Sequence, residues 1–415
     1  MSDFSQFNLV DPSYIPNNQE PPMEFFKWVR ENDPVHWNPA PAPGEYNMMM
    51  AGAEMSQGFW VLSSYEDVQM ASRKSKIFSS AAGGPVIWDL NEERLMQQQA
   101  GIMGKDDPHH KALKRLVVPP FMPNALKEYE GEIKKKVKKI VDSVAKKGEC
   151  ELVFDVASRL PVATFCELMG IPEEDNEKIF KLGNRLADVE SQEDDGLATL
   201  MEVFMYAEQL SQEKRKNPDN SMLSLYVNGE YEGEKIPQDQ VNMFFVTLAI
   251  AGHETTRNTL VHFFRLMNEH PEQYELLKSD PEKHLVNAVN EVLRFSPPVM
   301  QFRRTLLEDI ELGGKELKKG DKVYLSYVSA NRDAKVFEDP DKFDITRENA
   351  GKHLSFGTGP HACLGARLAI IQLSLLIEEI LERIPDIKIG EGVEYLDSIW
   401  FHAIMKMPVT FTPEK

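Results

Sequence analysis

The sequence predicts a mainly α-helical fold with a smaller β-rich lobe. Helical patterning dominates from Pro108 to His270 and returns over Glu282–Phe295. A long apolar helical pattern from Ala366 to about Arg383 follows a glycine-rich turn. Extended patterning is confined to Pro34–Trp37, Gly58–Leu62 and the stretch 302–328. The chain has 415 residues, 42% hydrophobic and 27% charged, an ordinary globular composition that on length alone would suggest two or three domains.

Each element has a local reason. The stretch up to Pro22 is polar and proline-containing and reads as a surface arm, and Met23–Glu31 reads as the first helix. About twenty residues, including Pro39, Pro41, Pro43 and Met48–Met50, separate the two runs 34–37 and 58–62, far more than a tight hairpin needs. Tyr65–Arg73 reads as a helix, Ser79–Gly104 as irregular, and Pro108–Lys114 as the start of another helix. The following helices break near Pro161, Pro172, Pro218 and the turn Asn228-Gly229-Glu230. A long helix starts near Gln238, and Pro297-Pro298 stops the helix that begins at Glu282. Short strands flank the turns at Gly313-Gly314 and Lys319-Gly320-Asp321, and Asn331–Arg347 is polar and irregular.

The formal net charge of −19 and a pI near 5.1 repel nucleic-acid phosphates and argue against a DNA or RNA partner. Three cysteines, Cys150, Cys166 and Cys363, are an odd, low count that fits a reducing compartment, so a cytoplasmic location is expected. The first eight residues show no basic or apolar leader. The longest apolar run, Met243–Ala251, is too short to span a bilayer, so no membrane anchor is expected.

The segment Phe356-Gly357-Thr358-Gly359-Pro360-His361-Ala362-Cys363-Leu364-Gly365 carries the most chemistry. Its glycines let backbone N–H groups approach the sulfur, and the helix that follows aims the positive end of its dipole at it. A bound metal would remove the proton outright. One cysteine cannot build a four-ligand zinc site, whereas a single axial thiolate suits haem iron.

This segment resembles the haem-binding loop of the cytochromes P450, the haem-thiolate monooxygenases. The family pattern is Phe, two residues, Gly, three residues, Cys, one residue, Gly; Phe356, Gly359, Cys363 and Gly365 fit it at every gap. The resemblance implies one domain over 1–415, triangular and helical around a buried haem b, with a β-rich lobe at roughly 34–65 and 302–328. It implies Cys363 as iron ligand, with Phe356 and Gly365 against the cofactor. It implies a soluble bacterial-type member that takes O2 and receives electrons from a separate ferredoxin or flavodoxin and its reductase, since no flavin domain follows the haem region. On this view the insertion between the first two strands is a surface extension, or else a cover over the substrate entrance or a partner contact.

A second motif is Ala251-Gly252-His253-Glu254-Thr255-Thr256. Thr247, Ala251 and Thr255 fall four apart and share one helix face, whose small residues leave room beside a flat cofactor. Helical threonines bond back to the carbonyl four residues earlier, and with Gly252 nearby a local opening of the ladder is expected. The motif is similar to the family's Ala-Gly-x-acid-Thr sequence. That likeness implies that Thr255 hydrogen-bonds dioxygen and Glu254 relays protons, since two protons must arrive for productive O–O cleavage.

Glu291-Val292-Leu293-Arg294 matches the family's Glu-x-x-Arg pair, with Arg347 as the expected third partner locking the cysteine loop. Haem propionates need cationic or donor partners. The resemblance assigns this role to Arg304 rather than Arg303, to His361, and to His110 and Lys114 in Asp107–Arg115, although the family usually has arginine where Lys114 stands. Lys134–Lys139, with Lys111, Arg115 and Arg367, offers a basic surface for an acidic electron donor, or else a solvated helix face.

The implied reaction is hydroxylation of a small to medium lipophilic substrate, in the range of terpenoids, steroids and alkyl or fatty acid chains. Specificity is expected from Ser80–Met103, the helices between Ile171 and Lys216, and Val299-Met300-Gln301, where Trp88, Met96, Met103, Phe180 and Phe204 supply apolar surface. The alternatives are a peroxide-driven peroxygenase, an O2-independent isomerase and a non-catalytic haem sensor. The pair Glu254-Thr255 speaks against the first two, and no signalling domain is seen for the third.

Overall fold

The computed structural model describes residues 4, 7–11, 20–41, 53–187, 195–231 and 233–415. Among the described residues fourteen α-helices form most of the fold: α1 (Met23–Asn32), α2 (Tyr65–Arg73), α3 (Glu92–Ala100), α4 (His109–Val117), α5 (Pro123–Asp142), α6 (Arg159–Met169), α7 (Asn176–Ala187), α8 (Asp195–Lys216), α9 (Met222–Asn228), α10 (Gln238–Glu269), α11 (Pro271–Ser279), α12 (Pro281–Phe295), α13 (Tyr327–Ala330) and α14 (Ala366–Arg383). Their ends follow local chemistry. Ser64 caps α2 by accepting from the Asp67 N–H, Asp280 caps α12 through the Lys283 N–H, and Gly170 closes α6 in the left-handed conformation.

The axis of the molecule is α10, which packs against α6, α7, α8, α12 and α14. Apolar residues of α4 to α12 and α14 merge into one large core around it. A second core joins Phe25, Phe26 and Val29 of α1 to Val86–Trp88, Met300 and Tyr324.

The main sheet orders its strands Val35–Asn38, Phe59–Leu62, Lys322–Ser326, Gln301–Leu306 and Phe78–Ser79. The first two pair antiparallel, Trp37 opposite Trp60, despite the long insertion between them. Residues 42–52 of that insertion, with Pro43 and Met48–Met50, lie outside the described residues. Its far end returns as Ala53–Glu54, which pairs with Asp89–Leu90. Further short strands at Glu149–Glu151, Lys388–Ile389 and Pro408–Thr410 form a second sheet.

One expectation fails. Ser79–Gly104 is not wholly irregular but contains α3, whose N-cap Asn91 accepts from the Arg94 N–H and whose first turn carries Glu92 and Glu93.

Candidate active site

The cysteine loop is shaped by two glycines in the left-handed region, Gly357 (φ 63°) and Gly359 (φ 74°). A Cβ on Gly359 would also lie 2.6 Å from the Ser72 carbonyl oxygen, so close packing against α2 excludes any larger residue. The Cys363 N–H donates to the Phe356 carbonyl at 2.8 Å, closing the loop. The backbone N–H groups of Gly365 and Ala366 donate to the cysteine sulfur at the start of α14. Cys363 sits deep in the fold, yet its side chain is open, so it lines an internal space rather than the outer surface. Burial raises its thiol pKa, and the two N–H donors and the Lys114 charge only partly oppose this. Of the three influences the sequence offers on this sulfur, the N–H donors and the helix start do not outweigh burial, which leaves a bound metal as the one that would hold it as thiolate.

Four donors converge beside this loop. Lys114 on α4 donates to the carbonyls of Pro360 (2.8 Å) and Ala362 (2.9 Å). The rings of His110 and His361 lie 4.0 Å apart. Arg304, fully buried, donates to the Arg303 carbonyl at 2.7 Å and lies near enough to depress the pKa of His361. That pKa is pushed down to about 2, first by burial and then by Arg304, His110 and Lys114. His361 Nε2 is buried with no hydrogen-bond partner among the described residues, while His110 Nδ1, also buried, lies 3.6 Å from the Asp107 carboxylate. Arg303 points the other way, to the Trp88 carbonyl at 2.8 Å, as strand alternation requires.

The middle of α10 supplies an opposite kind of surface. Ala251 and Gly252 are exposed although Phe244, Phe245 and Leu260 on the same helix are buried. A Cβ on Gly252 would meet nothing within 4 Å. Thr247, Thr255 and Thr259 each bond back to the carbonyl four residues earlier, at 2.6, 2.7 and 2.8 Å. The helix stays continuous through this stretch, so the expected opening of its ladder is not found. Glu254 is buried one residue away and ion-paired with Arg257, with His253 Nδ1 at 3.5 Å.

Behind the loop, Arg294 donates twice to Glu291, at 2.7 and 2.8 Å, and to the carbonyls of Asn331, Pro340 and Lys342. Arg347 adds a third contact to Glu291 at 3.2 Å, as its position in the sequence led us to expect. Asn331, which its sequence context marks only as part of a polar, irregular segment, ties this network to the loop: its side chain accepts from the Leu354 N–H and donates to Ser355.

Comparison with known proteins decides the family. The chain is 34% identical to a steroid C26-monooxygenase of Mycolicibacterium smegmatis, over 98% of this chain and 94% of that protein. It belongs to the cytochrome P450 family. The cytochrome P450 family model itself matches residues 193–385. A methyl-branched lipid omega-hydroxylase of Mycobacterium tuberculosis is 34% identical over 93% of this chain and 90% of its own length. The crystal structure of a Mycobacterium marinum cytochrome P450 in complex with pseudoionone superposes with a TM-score of 0.86 at 32% identity, covering 94% of each chain.

As a P450, the protein is a haem-thiolate monooxygenase whose cofactor is haem b and which uses O2, a lipophilic substrate and redox partners. The residues present fit that cofactor. A thiol receives two N–H bonds in an internal space, a partnerless buried histidine nitrogen and two nearby cations suit the propionates, and a helix with a stripe of small residues offers a flat wall. Among the described residues no helix is long and apolar enough to cross a membrane.

Proposed function

We propose that this P450 hydroxylates an unactivated carbon of a steroid side chain or a methyl-branched alkyl chain, with Cys363 as the iron ligand. The observation that carries the ligand assignment is the pair of N–H groups, from Gly365 and Ala366, converging on a sulfur that lines an internal space. The substrate class rests on the two kinds of relative, one a steroid C26-monooxygenase and the other a methyl-branched lipid omega-hydroxylase.

Haem, when bound, supplies the iron at which O2 is reduced and cleaved. The chain's own residues do the rest. Phe356 and Gly365 bracket the sulfur, and Gly365 leaves the start of α14 free to approach it. Arg304, His110 and His361 hold the propionates. Lys114 also holds the loop carbonyls and so acts on the cofactor partly through the loop. Ala251 keeps the helix wall flat above the ring. Thr255 presents a hydroxyl whose proton is lent to the Ala251 carbonyl and can be redirected toward the open side. Glu254 resupplies protons from the buried side of the helix.

The electron donor is a small acidic protein, a ferredoxin or flavodoxin, meeting the face near α4 and α5, and the location is the cytoplasm. Lys134 and Lys135 on that face pair with Glu130 and Glu132, and Lys136 with Glu167, so Lys138, Lys139, Lys111, Arg115 and Arg367 carry the unspent charge.

The test uses purified holoprotein, reduced and exposed to carbon monoxide. Thiolate ligation gives the red-shifted absorption band, and Cys363→Ser removes it; an unchanged band in the variant sinks the ligand assignment. A sterol and a methyl-branched fatty acid are then titrated against the haem band and their products identified. Terminal hydroxylation of either supports the substrate reading, and turnover confined to compact terpenoids overturns it.

A further inference from the structure

One half-buried carboxylate gathers segments that lie far apart in the chain. Asp89 stands just ahead of Asn91, the cap of α3. Its Oδ2 accepts from the Ser56 N–H (3.0 Å), the Ser56 hydroxyl (3.0 Å) and the Gln57 N–H (3.2 Å), all at the returning end of the insertion between the first two strands. The Lys322 ammonium donates to the same carboxylate at 2.9 Å, and Arg303 Nη1 lies 3.8 Å away. Exposed ion pairs contribute little, but the Lys322 side chain is only 1% exposed. Its other contact is the Met55 sulfur at 3.7 Å, so among the described residues Asp89 is its one counter-charge.

Lys322 stands opposite Thr305 and Arg303 opposite Tyr324, so strand alternation sends both cations to one face of the main sheet. There Arg303 donates to the Trp88 carbonyl at 2.8 Å, its backbone N–H donates to the Pro85 carbonyl at 2.8 Å, and Gly83 packs so closely on the guanidinium that a Cβ has no room. Two buried cations thus staple the segment 83–89 to the sheet. Beyond the staple, α3 runs to Gly101, where a Cβ would lie 3.4 Å from Thr247 Oγ1 and 3.8 Å from Met243 Cβ on α10. Thr247 is about 6 Å along α10 from Ala251, on the same face. Gln99 donates to the Ala81 carbonyl at 2.8 Å and closes the neck of this loop. The helix itself buries only Ala100, so packing alone does not hold it, and its place depends on the tethers at its two ends.

We infer that Asp89, held by Lys322, is a positioning residue that fixes α3 beside the Ala251–Thr255 face, and that the insertion takes part in shaping the substrate space through Ser56 and Gln57. The inference rests on the reading of that face as the wall above the haem. Residues outside the site, on the sheet and at the end of the insertion, then set how well the site covers a long apolar chain, while the chemistry at the iron stays independent of them.

The experiment titrates holoprotein with imidazole and with N-decylimidazole, followed by the shift of the haem band. Both bind through the same ring nitrogen, and only the second carries a chain that needs cover. The double variant Asp89→Asn with Lys322→Met removes both charges and strands neither. It is expected to bind imidazole as the parent does and N-decylimidazole about tenfold more weakly, the equivalent of roughly two methylenes losing their apolar cover. Amide hydrogen exchange is expected to quicken over 92–101 and to stay unchanged over 356–365. Ser56→Ala, which removes one donor to Asp89, is expected to show a smaller loss in the same direction, and it takes the place of the double variant if that does not fold. Unchanged binding of N-decylimidazole overturns the inference, and so does an equal loss for both ligands, which marks a general weakening of the fold. Ala251→Leu serves as the control on the wall: if it leaves both ligands bound as in the parent, the reading of that face fails, and the clamp with it.

Discussion

Lys114 shows how a motif can predict a residue's neighbourhood but not its bonds. The spacing of His110 and Lys114 brings both beside the cysteine loop, as the resemblance implied, yet the ammonium is committed to the carbonyls of Pro360 and Ala362. A point charge on a flexible stem takes the nearest strong acceptors. Replacing it by Met strips both carbonyls of their donor, at a cost of about 1–3 kcal/mol. Lys114→Met is therefore expected to lose haem several-fold faster to a scavenging acceptor, with the thiolate band unchanged while haem remains; an unaltered rate would show that the loop does not depend on it. Thr255→Ala tests the other wall. Product per reductant is expected to fall and peroxide to rise, and unchanged coupling would remove Thr255 from the proposed proton path. Cys363, Glu254 and Thr255 could be proposed from sequence because their chemistry demands particular residues at set spacings. The burial of the Glu254–Arg257 pair could not, because an i, i+3 acid–base pair looks the same in sequence whether it is solvated or fully buried.

Burial also separates the Glu-x-x-Arg joint from an ordinary helix pair. On a solvated helix Glu291 and Arg294 would contribute about 0.2–0.5 kcal/mol. Here both are fully buried between α12 and the segment 331–347, and removing one partner strands the other charge. Arg294→Leu is expected to cost about 3–5 kcal/mol, measured by denaturant unfolding. Arg347→Ala is expected to cost less, because Arg294 still satisfies Glu291; equal losses would contradict this division of labour. Arg347 could be picked out from sequence because the resemblance places the third partner in the polar segment ahead of the loop, where Arg347 follows Phe343-Asp344. The helix α3 could not, since Glu92–Ala100 has only Leu95 and Met96 as large apolar residues and Met96 is 57% exposed, so its amphipathic stripe is too thin to read. The cap at Asn91 and the acids after it were the available signal. The C-terminal strands, two or three residues each, fall below any useful window.

At the scale of the whole molecule, what sequence could not supply is pairing between distant segments. The strand Phe59–Leu62 runs parallel to Lys322–Ser326, and nothing local announces a partner more than 250 residues away. The same long-range packing encloses histidines that the sequence shows only as polar residues. His262 lies fully buried, Nδ1 accepting from Arg265 and Nε2 donating to the His402 carbonyl, so both nitrogens are committed in the neutral form. His353 accepts from the Ser355 N–H. Burial is the first cause in each case: it holds His262 well below the usual histidine range, His353 near about 4 and His253 near about 3. The sign follows from where protons bind. Once the pH drops below about 6.5 the unfolded chain takes up protons at these positions while the folded chain refuses them until much lower pH, so stability is full above that value and drains away on acidification. Each histidine contributes a slope of about 1.4 kcal/mol per pH unit, so the three together approach roughly 4 kcal/mol per unit between about pH 6 and pH 4.5. Denaturant unfolding of the holoprotein at stepped pH is expected to show a midpoint nearly level above pH 7 and falling steeply below pH 6. Replacing His262 and His253 together by Gln is expected to flatten that fall relative to its own neutral-pH value, with His353 and His361 keeping their share. A variant as acid-sensitive as the parent would place the acid response on the carboxylates instead.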